Sequence, residues 1–297
     1  MGSAKDIILR PVSSSEANAL VRRVHYSGKV VNNSQLHIGV FYNGKLEGVM
    51  QFGPSLDKRK IMDLVEGTGW NEFLELNRLA FSDALPRNSE SRALSIVFKM
   101  IRKHAPHVKW IISFADATQC GDGTIYRAAG FVLTGIKKNN QIWQAPDGVT
   151  AARLVKTNLN PGSGRDKYIE RYLPNGARFS RTSLTDGRSK KQQSAARAIS
   201  RVTATKGSNV LETGGASMKP FIEAGFTPMD GYQLRYIYFL DPSYRARLTV
   251  PELPYSEIER RGARMYKGER LSCGSGEIDN ATQSNVQTEG ASPIEPL

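Results

Sequence analysis

Two cysteines in 297 residues, Cys120 and Cys273, are too few for a disulfide framework or a cysteine-built zinc site. No stretch approaches the roughly 18 uninterrupted apolar residues of a membrane-spanning helix. The first residues also lack the basic-then-apolar layout of a signal peptide. These absences argue against a disulfide-stapled secreted domain and a helical membrane protein, so a cytoplasmic chain with no membrane partner is expected. No internal repeat is present. Ala129-Gly130-Phe131 and Ala224-Gly225-Phe226 echo each other, but each reads as an independent helix cap. Acidic residues are also scarce: 28 Asp and Glu face 41 Lys and Arg, a net charge of +13. Such an excess must lie near an anion or act as self-repulsion, and nucleic acid is the first partner it suggests.

What is present is unevenly spread. A hydrophobic content of 39% is adequate for a packed core. Residues 271–297 hold four acidic residues and no Lys or Arg, and are rich in Ser, Gly, Asn and Thr; this reads as a disordered acidic tail and leaves the remainder at +17. Between Ala151 and Lys206 there are thirteen basic and three acidic residues, a net +10 in a stretch poor in apolar residues. The expected division is a core over 1–143, a basic insertion over 144–215, the end of the core over 216–269, and a tail over 270–297.

Residues 6–12 read as a first strand. Ser13 with Glu16 three residues on is a capping box, and Ala17, Leu20, Val21 and Val24 then follow helical spacing, which brings His25 and Tyr26 to the helix end. Two β-like runs, 36–42 and 46–52, are joined by Asn43-Gly44, a tight-hairpin dipeptide. A further strand spans Phe73 to Phe81. Ser89 to Lys103 is an amphipathic helix with Leu94, Val97, Phe98 and Ile101 on one stripe, capped by Asn88 or Ser89. Strand 110–115, a short helix near 124–129 ended by Gly130, strand 131–137 and a last strand, 232–240, complete a mixed α/β layout with crossover helices between parallel strands.

Several residues could carry chemistry. His25 and Tyr26 offer a base or metal ligand beside a phenol, or simply a helix-end pair. Glu75, Asn77 and Arg78 put a carboxylate, an amide and a guanidinium into one strand, where burial is costly unless they are paired or used. Strict alternation separates Arg78 from the other two unless a bulge intervenes. Ser113 precedes Asp116, which ends a hydrophobic strand where α/β proteins place ligand-contacting residues; an Asx turn is the alternative. Gly121 and Gly123 allow close backbone approach, a weak signal by itself. Tyr126 either donates a proton or packs. Arg87, Asn88, Ser89 and Ser91 at a helix N-terminus form a phosphate cradle, or with Glu90 a plain cap. In the basic segment, Arg165, Lys167, Arg171, Arg178, Arg181, Arg188, Lys190 and Lys191 interleave with Tyr168, Tyr172 and Phe179, as phosphate contacts with base stacking would require.

The element order resembles the GNAT acyltransferase fold, in which the fourth strand commonly bulges and the next helix receives a donor's phosphates. HYSGK (25–29), HIGVFYNGKLEGVMQFG (37–53), FLELNRLAFSD (73–83), PRNSESRAL (86–94), SFADATQCGDGTIYRAAGF (113–131) and QLRYIYFLDP (233–242), in that order, resemble the phage Mom family. The resemblance implies a GNAT-like mixed sheet and modification of the exocyclic N6 of adenine in double-stranded DNA to a carbamoylmethyl group. That product shields phage DNA from host restriction, with the host cytoplasm as the place of action. In related acyltransferases a tyrosine at the position of Tyr126 often protonates the leaving group. One departure stands out: the usual pyrophosphate loop is glycine-rich, whereas Arg87-Asn88-Ser89-Glu90-Ser91 has no glycine.

Direct acyl transfer to N6 would leave an amide carbon on that nitrogen, whereas the carbamoylmethyl product has N6 bonded to CH2. Glycyl transfer followed by rearrangement gives this product, with a donor such as glycyl-tRNA that suits the basic body. An acyl-CoA donor, or a route assisted by iron or another metal held by His25 and Asp116, remains an alternative. Adenine must leave the stack in either case, with Tyr26, Tyr42 or Trp70 as candidate supports. The competing classes are a conventional N-acetyltransferase acting on a small amine or protein, and a non-catalytic DNA-binding protein.

Overall fold

The computed structural model describes residues 3–139, 141–154, 171–172, 219–267 and 269–270. Strand β1 (Ile8–Pro11) follows a 3-10 turn, Ala4–Asp6, and leads into helix α1 (Ser14–Val24). Ser13 caps that helix: its hydroxyl accepts from the Glu16 N–H, and the Glu16 carboxylate accepts from the Ser13 N–H. Strands β2 (Leu36–Tyr42) and β3 (Lys45–Gly53) turn on Asn43 and Gly44, at φ 49° and 76°, the left-handed pair that matches strand twist. Helix α2 (Lys58–Met62), strand β4 (Phe73–Phe81), helix α3 (Ser89–His104) and strand β5 (Trp110–Ala117) follow. Then come helix α4 (Thr124–Ala128), β6 (Val132–Lys138), β7 (Ile142–Gln144), β8 (Ala151–Arg153), β9 (Thr227–Pro228), β10 (Tyr232–Phe239), β11 (Met265–Tyr266) and β12 (Glu269–Arg270).

Among the described residues, seven strands form the main sheet in the order β1-β2-β3-β4-β5-β10-β6. The sheet is mixed, but only β4 and β5 are parallel neighbours, joined by the α3 crossover; the other pairs are antiparallel. The expected series of parallel crossovers therefore reduces to one. The reason is β10, which returns from late in the chain to lie between β5 and β6 and runs opposite to both. Of the shorter strands, β8, β7 and β9 form a separate small sheet, and β11 pairs with β12 beyond the strand expected to be last. Strands of two or three residues leave no periodic pattern to find in a sequence.

Apolar stripes close both faces. Leu94, Val97, Phe98 and Ile101 of α3 pack with Ile38, Val40, Met50, Phe52, Leu76, Ile111 and Tyr236. On the other face Ala17, Leu20 and Val21 of α1 cover Val49 and Ala80. Asn88 occupies the cap position of α3 at φ 68° but forms no side-chain cap, which corrects the expected Asn88 or Ser89 cap. The Ser89 hydroxyl instead donates to the Pro86 carbonyl at 2.6 Å. Helix α4 ends as expected, on Gly130 at φ 85°.

Candidate functional site

The pairing of β4 with β5 is short. It covers Phe73–Glu75 against Trp110–Ile112, after which no ladder joins the two strands. The backbone beyond is bridged instead by the Ser113 hydroxyl, which donates to the Leu76 carbonyl at 3.3 Å. Polar side chains gather around this parting.

Strand β4 carries one extra residue where it faces β3. Gln51 pairs with Arg78 and Phe52 with Leu76, so Asn77 is the bulged position. Because Gln51 and Gly53 lie on one face of β3, their partners Arg78 and Glu75 also share a face. Simple alternation would have separated this carboxylate and guanidinium. Asn77 is buried, and its Oδ1 accepts from the Ser34 hydroxyl at 3.1 Å.

Arg78 is anchored by backbone carbonyls: Nε donates to Lys29 O at 2.9 Å and a terminal nitrogen to Asn77 O at 2.7 Å. That fixes the loop after α1, in which His25 forms the C-cap. The Ser27 N–H lies 3.2 Å from His25 Nδ1; since an N–H can only donate, Nδ1 accepts and a neutral ring carries its proton on Nε2. Burial, helped by the nearby Arg78 charge, lowers the His25 pKa to about 4. The imidazole is therefore neutral at pH 7 and presents Nε2–H as a hydrogen-bond donor. Its ring lies 4.4 Å from that of Tyr26.

The Tyr26 hydroxyl donates to Asp116 Oδ2 at 3.1 Å, joining the α1 loop to the end of β5. Burial of the hydroxyl and the facing carboxylate both raise the phenol's pKa, so it stays protonated. Asp116 also forms the Asx turn weighed above: Oδ1 accepts from the Thr118 N–H, and Oδ2 from the Gln119 amide, both at 3.0 Å. The two readings are compatible, because the turn holds the carboxylate in place for Tyr26. Across the gap, Tyr126 of α4 packs against Phe131 and Tyr236 and lies beside Ser113. Burial keeps its phenol protonated. Glu75 has its carboxyl raised by burial, opposed in part by Ser55, Asn77 and Arg78.

His25, Tyr26, Glu75, Asn77, Arg78, Ser113, Asp116 and Tyr126 thus come from four separate elements to one region. Sequence reasoning passed over Cys120, whose thiol is raised by burial and by Asp116 and which lies close enough to Tyr26 and Tyr126 to affect both. It also missed Ser55, buried beside Glu75. Neither carried a motif. A metal fits this donor set poorly. His25 Nδ1 and both Asp116 oxygens have partners, and among the described residues no group of three His, Cys, Asp or Glu is placed to hold an ion.

The residues expected to form an anion cradle, Arg87, Asn88, Ser89 and Ser91, lie at the N-terminus of α3. Ser89 is fully buried, and the Ser91 hydroxyl donates to the Asn88 carbonyl at 3.2 Å, so both hydroxyls are used within the turn. Of the basic residues singled out in the insertion, Arg171 is described; it is exposed, with its guanidinium 5.2 Å from the Tyr172 ring. Arg165, Lys167, Arg178, Arg181, Arg188, Lys190 and Lys191, with Tyr168 and Phe179, lie outside the described residues.

A mixed sheet with one parting parallel pair, a bulged fourth strand and a helix N-terminus at the end of that strand defines a GNAT-like α/β protein. Within that class, the chain belongs to the Mom protein family, whose model matches residues 6–188. It is 35% identical over 167 residues to "Methylcarbamoylase mom" of Escherichia phage Mu, a match covering 56% of this chain and 68% of that protein. Similar solved structures include an IAA acetyltransferase from Bacillus cereus (11% identity, TM-score 0.32, 44% of this chain and 80% of that one). An N-acetyltransferase from Staphylococcus aureus is another (11% identity, TM-score 0.33, 45% and 87%). No helix among the described residues is long and apolar enough to cross a membrane.

Proposed function

We propose that this protein is a transferase that converts adenine N6 in duplex DNA to N6-carbamoylmethyladenine, using a glycyl ester as donor. The observation that carries the reading is the parting of β4 and β5, with Glu75, Arg78, Tyr26, Asp116 and Tyr126 converging on it. Family membership and the +13 charge support DNA as the acceptor.

In the first step the adenine N6 attacks the glycyl carbonyl, an N–C bond forms, and the donor's alcohol leaves with a proton. Asp116, tied to Tyr26, is suited to accept the N6 proton, and Tyr126 to supply one to the leaving oxygen. Arg78 would offset negative charge developing on the carbonyl oxygen. The glycyl amine then attacks C6, closing a five-membered spiro ring. Cleavage of the original C6–N6 bond reopens it, with one proton passing from the amine to the departing amide nitrogen. The adenine's own nitrogen ends as the terminal carboxamide, and glycine's nitrogen becomes the ring-attached one. No oxidant or reductant is consumed.

The test is mass spectrometry of nucleosides from plasmid DNA of bacteria expressing the protein and grown on 15N-glycine. The expected product is a carbamoylmethyl deoxyadenosine carrying one 15N more than the unmodified deoxyadenosine of the same DNA, an excess that stays when the carboxamide is hydrolysed. Product with no excess over unmodified deoxyadenosine would remove the glycyl donor and favour another acyl source. Unmodified DNA, with acetyl-CoA binding to the purified protein, would favour a conventional acetyltransferase.

A further inference from the structure

The rim of the site on the α1 face of the sheet is built from two loops. Asn33, in the loop after α1, donates its side-chain amide to the Pro54 carbonyl, and the Gln35 N–H donates to Phe52 O at 2.8 Å. The second loop continues from the end of β3: Gly53 pairs with Glu75, and Ser55 is buried beside that carboxylate. The next residue, Leu56, is 90% exposed. Leu56 gains nothing from burial on folding, although it follows a segment tied to the first loop at Pro54. Consecutive Cα atoms are about 3.8 Å apart, so Leu56 stands one residue from a side chain that borders the site.

Its surroundings are cationic. After Asp57 come Lys58, Arg59 and Lys60, of which Arg59 and Lys60 are exposed. Asp57 pairs with Lys60 at 3.0 Å on the surface and offsets one charge. Lys58 Nζ lies 4.5 Å from the centre of the Trp70 ring, which is half exposed. On the first loop and the last turn of α1, Arg22, Arg23 and Lys29 are exposed as well. An apolar tip flanked by basic side chains on both loops matches the chemistry of stacked bases between two rows of phosphates.

Resting on the DNA-modifying reading above, we propose that Leu56 is a wedge that enters duplex DNA and fills the stacking gap left when the target adenine turns out toward Glu75 and Asp116. Arg59, Lys60 and Lys29 hold the phosphates on either side, and Trp70 offers an exposed ring against the displaced strand. The energetic logic is general: extruding a base costs unstacking and leaves a void, and an inserted apolar side chain restores contact with the neighbouring bases.

Duplex oligonucleotides with 2-aminopurine in place of adenine, covering every nearest-neighbour context, brighten when the base leaves the stack. Wild-type protein should brighten at least one context. Leu56→Ala should cut that signal by roughly fivefold or more, with anisotropy-measured affinity changed by less than about threefold. Leu56→Met, which keeps a long apolar tip, should restore the signal. Because Leu56 is exposed, neither variant should alter the melting temperature. Equal brightening by wild type and Leu56→Ala would overturn the wedge. So would a Leu56→Ala variant whose only change is loss of a concentration-dependent dimer, since Leu56 would then be a contact to a second copy. Plasmid nucleosides separate the two claims. Modification by wild type with equal modification by Leu56→Ala removes the wedge alone, whereas unmodified DNA with wild type removes the reading on which the wedge rests.

Discussion

Tyr26 and Asp116, 90 residues apart, meet at 3.1 Å, where the loop after α1 reaches the end of β5. Tyr26 is about half exposed, at 49%, while burial around its hydroxyl raises the phenol's pKa. Losing the hydroxyl therefore disturbs the site more than the fold. Tyr26→Phe should lower DNA modification by about 10²-fold and shift the melting temperature by only a few degrees. Asp116→Asn keeps an acceptor for the Thr118 N–H but removes the charge, and should lower modification at least as far. Nucleoside mass spectrometry beside thermal melting checks both; parallel loss of fold and activity would make the pair structural.

Tyr126 gives a second separation of roles. Its ring packs on Phe131 and Tyr236, so Tyr126→Phe keeps the contacts and removes one hydroxyl. Modification should fall by roughly 10²-fold or more if that hydroxyl serves the leaving group. An unchanged yield in a time course would mean that it only packs.

His25 predicts a pH dependence of stability. Its pKa is lowered to about 4 in the folded chain, against 6.5 when unfolded. Between these values the unfolded chain binds more protons, so stability is complete above pH 6.5 and is lost as pH falls toward 4. The full effect is on the order of 3 kcal/mol, less whatever solvent screening removes. His37, also lowered by burial, acts in the same direction, and Glu75, raised by burial, acts in the opposite one. The comparison is therefore between wild type and His25→Asn, which keeps an acceptor for the Ser27 N–H. Urea midpoints at pH 7 and pH 5 should differ more in wild type, and equal differences would contradict the shift.

Gly53 tests the bulge region. A Cβ there would lie 2.2 Å from the Asn33 carbonyl and 2.9 Å from Asn77 Oδ1. The first is backbone and cannot swing aside. Gly53→Ala should cost about 1–3 kcal/mol in denaturant unfolding and should loosen the loop that holds Arg78.

Much of this was legible in the residues. The Ser13-Glu16 box, the Asn43-Gly44 hairpin and the α3 stripe each have a local cause, and local causes can be read from a sequence. So can the candidates His25, Glu75, Arg78 and Asp116, because polar residues within a strand or at the ends of apolar elements are conspicuous. What could not be read was set by long-range contacts. Nothing near Tyr232 says that β10 will separate β5 from β6, and the hydrogen bond from Ser34 that engages Asn77 comes from 43 residues away. Ser55 and Cys120 owe their positions to β3 pairing and the Asp116 turn, and neither belongs to a pattern of its own.

The bulge at Asn77 makes this site depend on counting. Most active sites fail when a residue is changed, but here one residue inserted between Gln51 and Phe52 of β3, leaving Glu75 and Arg78 untouched, would give Asn77 a partner and return β4 to simple alternation. It would turn the acid and the guanidinium to opposite sides of the sheet. In a comparison of related chains, an insertion at this position would be more telling than any substitution beside it.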